Sequence, residues 1–472
     1  MVFSSLEFIF IFLPVFLLVY YRLPARLRNV CLLVGSLVFY IYGSWQTPFY
    51  TFLLLLSIVL NWGLGLLLSP KHKGENGNRV LLIIGIVYNL GLLFLYKYCG
   101  FLFDSLNALL GLSPDKGLPQ ITWALPLGIS FYTFMHLAYL IDVYRGNIRP
   151  EPSLFRYATF SAFFPKVTSG PITTYQELSA PLTRRSINQK RLDNGLRDFI
   201  IGLGLKVLLA NQIGGLWNQL GMIGYESIST PLAWLGSAAY SLQLYFDFYG
   251  YSLMAIGVGK MLGFRLPDNF RHPYVARTMT DFWRRWHITL GAWFRNYLYI
   301  PLGGNRCSRR RHTLNLLIVW LATGLWHGAS WNFVIWGLFL FVILFLEKNY
   351  TMQALTGDSI LSKIGSHAYM ILLILIQWTI FAVTDLHQLG IYLGRLIGIG
   401  GQVIDKTDFA RYLGSYGWKI AVGIVFATPL PRKLFKPIRN TLLGTILLFA
   451  VFAAAVYCMS IGSNDPFMYF NF

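Results

Sequence analysis

Charge is what this sequence has least of. Only 12% of its 472 residues are Asp, Glu, Lys or Arg, against roughly a quarter in a water-soluble fold, and the deficit excludes an ordinary soluble chain. Acidic residues are the scarcer part, with 19 Asp and Glu against 39 Lys and Arg and a formal net charge of +20. Cysteine is nearly missing: Cys31, Cys99, Cys307 and Cys458 lie far apart and form no CxxC pair. Neither a disulfide framework nor a zinc site is indicated, and no metal is expected. Whole catalytic classes are also unsupported, since the chain has no GxxxxGK[ST] loop, no HExxH and no GxSxG elbow. No histidine is followed by Asp five positions on, which removes HxxxxD glycerolipid acyltransferases.

What replaces the charge is apolar, 55% hydrophobic and 17% aromatic. The apolar residues occur in runs close to the ~20 needed to cross a bilayer, so the expected class is an all-α polytopic membrane protein. A basic excess can also mean nucleic acid. In a membrane protein, cytoplasmic loops collect Lys and Arg by themselves, and no nucleic-acid partner is needed.

The run Phe8 to Tyr21 has no basic segment before it and no cleavage site after it, so it reads as a retained span. Arg22, Arg26 and Arg28 follow, which places that loop inside and the N-terminus outside. Further basic loops fall at Lys71, His72, Lys73 and Arg79, at Arg145 and Arg149, at Arg184 to Arg197, and at Arg432 to Arg439. Phe101 to Leu112 is too short to cross alone and is expected to be re-entrant or interfacial. The alternation gives about eleven crossings plus re-entrant and interfacial helices. It makes 1–472 one integral domain, with a core over about 125–346 and C-terminal helices over 368–459.

Two histidines stand out. Leu314 to Trp326 is apolar for thirteen residues, about 20 Å of helix against a hydrocarbon core of ~30 Å. The break that follows, His327, Gly328, Ala329 and Ser330, precedes a second apolar run from Trp331 to Leu346. The chain is expected to turn back inside the membrane with His327 at depth. Intramembrane ionisable residues are costly and functional by default, and burial favours the neutral, proton-accepting imidazole. The bland alternative is a histidine that only hydrogen-bonds a carbonyl at the break. His287 lies in Asp281-Phe282-Trp283-Arg284-Arg285-Trp286-His287, where helical spacing puts it on one face with Trp283 and Phe294. Arg284 and Arg285 then point to water, either pairing with lipid phosphates or holding the phosphates of a cytosolic donor. Asp247 ends an apolar span and needs a partner. A paired structural acid and an acid that orients a histidine both remain open.

These residues carry a family resemblance. Phe282 to Leu290, YLYIPLGGNR at Tyr297 to Arg306 and GLWHGASW at Gly324 to Trp331 resemble the signature of the membrane-bound O-acyltransferases. The opening MVFSSLEFIFIFLP, LPLGISFYTF at Leu125, IDVYRG at Ile141 and YFDFYGYSLMAIGVGKMLGF at Tyr245 resemble that family's bacterial alginate O-acetyltransferase branch. The resemblance implies a ring of helices around a thin centre with a funnel from each side, in a bacterial cytoplasmic membrane. It implies His327 as the catalytic histidine and His287 as the second catalytic position. Trp283, Arg284, Arg285 and Asn305 would stand toward the donor, with Asp247, Trp326 and Ser330 in support.

The implied reaction moves an acyl group, acetyl by resemblance, from a cytosolic thioester to a hydroxyl. The acceptor is an extracytoplasmic polysaccharide or an SGNH-type acetyltransferase partner. No cofactor is expected to stay bound, and acetyl-CoA is the expected donor substrate. Ser169-Gly170-Pro171-Ile172-Thr173-Thr174 departs from the more apolar, Arg-containing stretch usual in that branch, which bears on the acceptor. Three other readings compete. They are a D-alanyl transferase for teichoic acids fed by an acyl carrier protein, a transporter or channel with an intramembrane histidine, and a structural subunit of a polysaccharide exporter.

Overall fold

The computed structural model describes residues 2–68, 75–112, 117–121, 123–400 and 405–462. The basic positions Lys71, His72 and Lys73 lie outside the described residues. Among the described residues every regular element is helical. That is the outcome lipid demands, because a helix satisfies its backbone polar groups within itself. Among the described residues, seven helices are long and apolar enough to cross a membrane: Ala25–Gly43, Phe49–Leu67, Asn78–Leu110, Gln189–Ile223, Trp331–Thr356, Ile360–Ala382 and Leu442–Ile461.

Two of these join what the sequence pattern separates. Asn78–Leu110 is a single helix of 33 residues, so the segment from Phe101 is neither re-entrant nor a separate interfacial piece. The polar interruption at Lys97 is carried through by a π-helical turn, Phe94–Tyr98. Gln189–Ile223, likewise, runs without a break from the basic stretch into the span, with another π turn at Leu205–Ala210. Of the remaining runs, Leu125 to Val143 forms a helix of only 16 residues, Ile129–Tyr144.

The chain divides into two compact units, 1–196 with 255–267, and 197–254 with 268–472. In the first, Phe8, Phe12 and Phe16 recur at helical spacing and set their rings 6.4, 5.5 and 5.4 Å from Phe164. One cluster of its buried polar groups is matched internally. Asn61 donates to Asn89 and contacts His136 Nδ1 at 3.1 Å, while His136 Nε2 meets Ser161 at 3.2 Å. His136 is therefore a satisfied core histidine.

In the second unit, two helices touch backbone to backbone. A Cβ on Gly202 would stand 2.5 Å from the Gly250 carbonyl, and one on Gly250 would stand 2.6 Å from that of Gly202. Small residues permit such an approach between membrane helices. One turn along, Lys206 Nζ meets Asp247 Oδ1 at 2.6 Å with both side chains buried. Removing one member of a buried pair strands the other charge and costs about 3–5 kcal/mol. Asp247→Ala is therefore expected to lower the thermal unfolding midpoint of the detergent-solubilised protein clearly. An unchanged midpoint would show that the pair holds nothing.

Arg309–His327 and Trp331–Leu346 form a hairpin in the same unit. A Cβ on Gly324 would stand 2.3 Å from the Phe333 carbonyl, and one on Gly337 would stand 2.5 Å from that of Trp320. The turn at His327 thus brings the second helix back along the first.

Candidate active site

His327 closes the first arm of this hairpin and is 1% exposed. Its ring stands edge-on to Trp326, Trp336 and Phe381 at 5.1, 5.2 and 5.2 Å. Gly328 follows because the turn leaves no space: a Cβ there would fall 2.0 Å from the Phe333 ring. Packing of aromatic rings, rather than a cap by Ser330, fixes the break. Ser330 makes no side-chain cap bond to the helix it precedes.

His287 is placed differently from its sequence expectation. No continuous helix carries Trp283, His287 and Phe294 on one face, because the helix Met279–Arg285 stops and a second one, Ile288–Phe294, starts. His287 itself is left-handed, with φ 43° and ψ 53°. Such a conformation costs a non-glycine residue roughly 1–2 kcal/mol and is kept where the surroundings over-determine it. Here Asn269 does so. Its carbonyl accepts from Ile288 N at 3.0 Å, and its Oδ1 accepts from Thr289 N at 3.2 Å and Thr289 Oγ1 at 2.8 Å.

The same Oδ1 lies 3.3 Å from His287 Nδ1. The Thr289 amide can only donate, so it fixes which end of the Asn269 amide is oxygen. His287 Nδ1 therefore carries the proton, and Nε2 is left with its lone pair. That Nε2 is buried without a hydrogen-bond partner among the described residues, unlike either nitrogen of His136. His287 is 1% exposed and packs on Phe248 at 4.7 Å and on Trp326 at 5.8 Å. Trp326 is thus common to both imidazoles.

Tryptophans make the rest of the wall. Trp283 contacts Trp320, Trp336 and Trp378 at 5.1, 5.5 and 6.1 Å. The indole N–H groups of Trp283, Trp286 and Trp336 are buried with no acceptor among the described residues. Such a set of unused donors suits a ligand oxygen.

The arginines stand apart from this centre. Arg285 pairs with Asp281 at 2.9 Å, its carbonyl accepts from Arg271 N at 3.0 Å, and Arg284 is exposed. Burial, with Arg432 and Arg285 nearby, holds the His272 imidazole below its ordinary pKa. Asn305 lies exposed on the turn before Ser308, and no contact joins it to either histidine among the described residues. Asp247 is paired with Lys206, and its neighbour Phe248 is what reaches His287. Asn269, Trp336 and Phe381 escaped the sequence reading, since no periodic pattern links Asn269 to a histidine 18 positions away.

A family model, the membrane-bound O-acyltransferase family, matches residues 37–382. The chain belongs to that family. This O-acyltransferase is 34% identical to the probable alginate O-acetylase AlgI of Pseudomonas putida over the full length of both chains. It is 40% identical to the AlgI of Pseudomonas aeruginosa across 82% of this chain and 73% of that one. It is also 35% identical to the peptidoglycan O-acetyltransferase of Helicobacter pylori, across 85% of this chain and 80% of that one. Both histidines of this acyltransferase, and the tryptophans around them, fall inside the matched family region or within the helix that ends it.

Proposed function

We propose that this acyltransferase takes an acetyl group from a cytosolic thioester and delivers it to a hydroxyl of an extracytoplasmic polysaccharide, directly or through a partner acetyltransferase of the SGNH type. The observation that carries the reading is the shared setting of the two imidazoles. His327 ends a helix inside an aromatic shell, and His287 turns an unpartnered Nε2 into the same unit, with Trp326 touching both. The relatives' names add that the AlgI proteins and the Helicobacter protein are described as O-acetylating enzymes.

In the reaction, His327 withdraws the proton of the attacking hydroxyl as its oxygen bonds to the thioester carbonyl carbon. The carbon–sulfur bond then breaks, and the proton held on His327 passes to the departing thiolate. His287 Nε2 accepts a hydrogen bond from a second hydroxyl of the acceptor and so aims the attacking one. The N–H groups of Trp283 and Trp336 supply donors for the carbonyl oxygen as charge develops on it. The basic flank of Arg285, Arg271 and Arg432 attracts the donor's phosphates.

The orientation that goes with this reading has the N-terminus outside and the basic loops in the cytoplasm of a bacterial inner membrane. About eleven crossings would surround a funnel open from each side. The test is donor turnover by purified protein in proteoliposomes, with labelled acetyl-CoA and, separately, an acylated carrier protein. Consumption of acetyl-CoA is the expected result. Turnover of the carrier-borne acyl group alone would move the function to the D-alanyl transferase reading. Solute transport with neither donor consumed would contradict acyl transfer.

A further inference from the structure

Glu347 lies outside every motif considered so far. It is 0% exposed and follows the last residue of the helix Trp331–Leu346, about 24 Å of helix away from the turn at His327 at 1.5 Å per residue. Its carboxylate is spent on the start of the other histidine's segment. Oε1 accepts from the Met279 amide, while Oε2 accepts from Thr280 N and Thr280 Oγ1, each at 2.9 Å. Tyr369 OH adds a fourth contact at 3.3 Å. No cation pairs with Glu347 among the described residues.

Met279 and Thr280 are the first two residues of the helix that carries Trp283 and leads into Trp286 and His287. The third amide, of Asp281, goes to Thr278 Oγ1 at 3.0 Å. A helix N-terminus attracts negative charge, and a carboxylate can only accept, so its two oxygens suit three converging donors. Two residues earlier the chain is clamped with the opposite polarity. Arg277 donates to the carbonyls of Leu355 and Gly357 at 2.8 and 2.6 Å, and to Ser366 Oγ at 3.0 Å. The segments 277–280 and 347–357 are therefore joined by two buried or half-buried charges, each directed at backbone groups.

What this arrangement achieves is a fixed place for the Met279–Arg285 helix along the Trp331–Leu346 helix. The first ends two residues before His287, and the second begins four residues after His327. We propose that Glu347 is a positioning residue, whose carboxylate sets His287 and the Trp283 indole at their working distance from His327. The proposal rests on the reading of these histidines as the acyl-transfer centre.

Glu347→Gln keeps the volume but leaves a single acceptor oxygen, so its NH2 faces either the Met279 amide or the Thr280 donors. In proteoliposomes supplied with acetyl-CoA, kcat is expected to fall at least tenfold while the donor KM stays within about threefold. Amide hydrogen exchange over 279–286 is expected to rise at least tenfold, with 314–326 unchanged. Thr280→Val removes a single donor, and its kcat should fall about threefold at an unaltered KM. Its result decides the matter if Glu347→Gln does not fold. Unchanged exchange over 279–286, kcat within twofold of wild type in either folded variant, or a rise in KM at constant kcat would overturn the proposal. If wild type consumes no donor at all, the functional reading fails, and the exchange measurement still decides whether Glu347 holds the helix.

Discussion

His327→Ala is expected to lower acyl transfer by about a thousandfold or more. A positioned general base contributes 10²–10⁴ to the rate, and His327 is 1% exposed among Trp326, Trp336 and Phe381. The substitution also leaves a void, and truncating a large buried side chain costs roughly 2–5 kcal/mol. The thermal midpoint should therefore be measured beside the rate. Loss of turnover in a variant that still melts cooperatively separates chemistry from folding. Retained turnover in that variant removes the imidazole from the mechanism.

His287 gives the second large effect, and here backbone and chemistry make separable predictions. Both His287→Ala and His287→Gly should lose roughly a hundredfold or more in kcat, because each removes the Nε2 acceptor. The two should differ in stability. At φ 43° alanine keeps the steric penalty of the left-handed region and glycine does not, so His287→Gly should be the more stable by about 1 kcal/mol. Parallel thermal melts check the ordering. Equal midpoints would mean that the turn relaxes once the imidazole is gone. Asn269→Ala strands the buried Thr289 amide, a cost of roughly 1–3 kcal/mol, and frees the tautomer of His287. A turnover equal to wild type in that variant would sever the link between Asn269 and catalysis.

The turn at His327 was legible because an apolar run of thirteen residues cannot cross a bilayer and must stop for a reason. His287 was legible as a residue but not as a conformation. A helical wheel assumes an unbroken ladder, and the ladder is cut by Asn269, which takes the Ile288 and Thr289 amides. Continuity was misjudged in the opposite sense at Lys97, where a π turn carries a polar residue through one long helix. Asp247 announced a need for a partner, and Lys206 could be named only once two glycines had brought the helices together. Glu347 gave no signal, since its partners lie 67 and 68 positions away. The residues proposed to bear the chemistry leave a mark in the sequence because ionisable side chains are costly in lipid. Residues that aim them are visible only through contacts.

The central claim is that His287 and His327 work as one unit around Trp326. A double-mutant cycle on kcat tests it most directly, with His287→Ala, His327→Ala and the pair in proteoliposomes given the same donor. Members of one catalytic unit are grossly non-additive, so the double variant should be little slower than His327→Ala alone. Losses that multiply would show two independent sites and contradict the account.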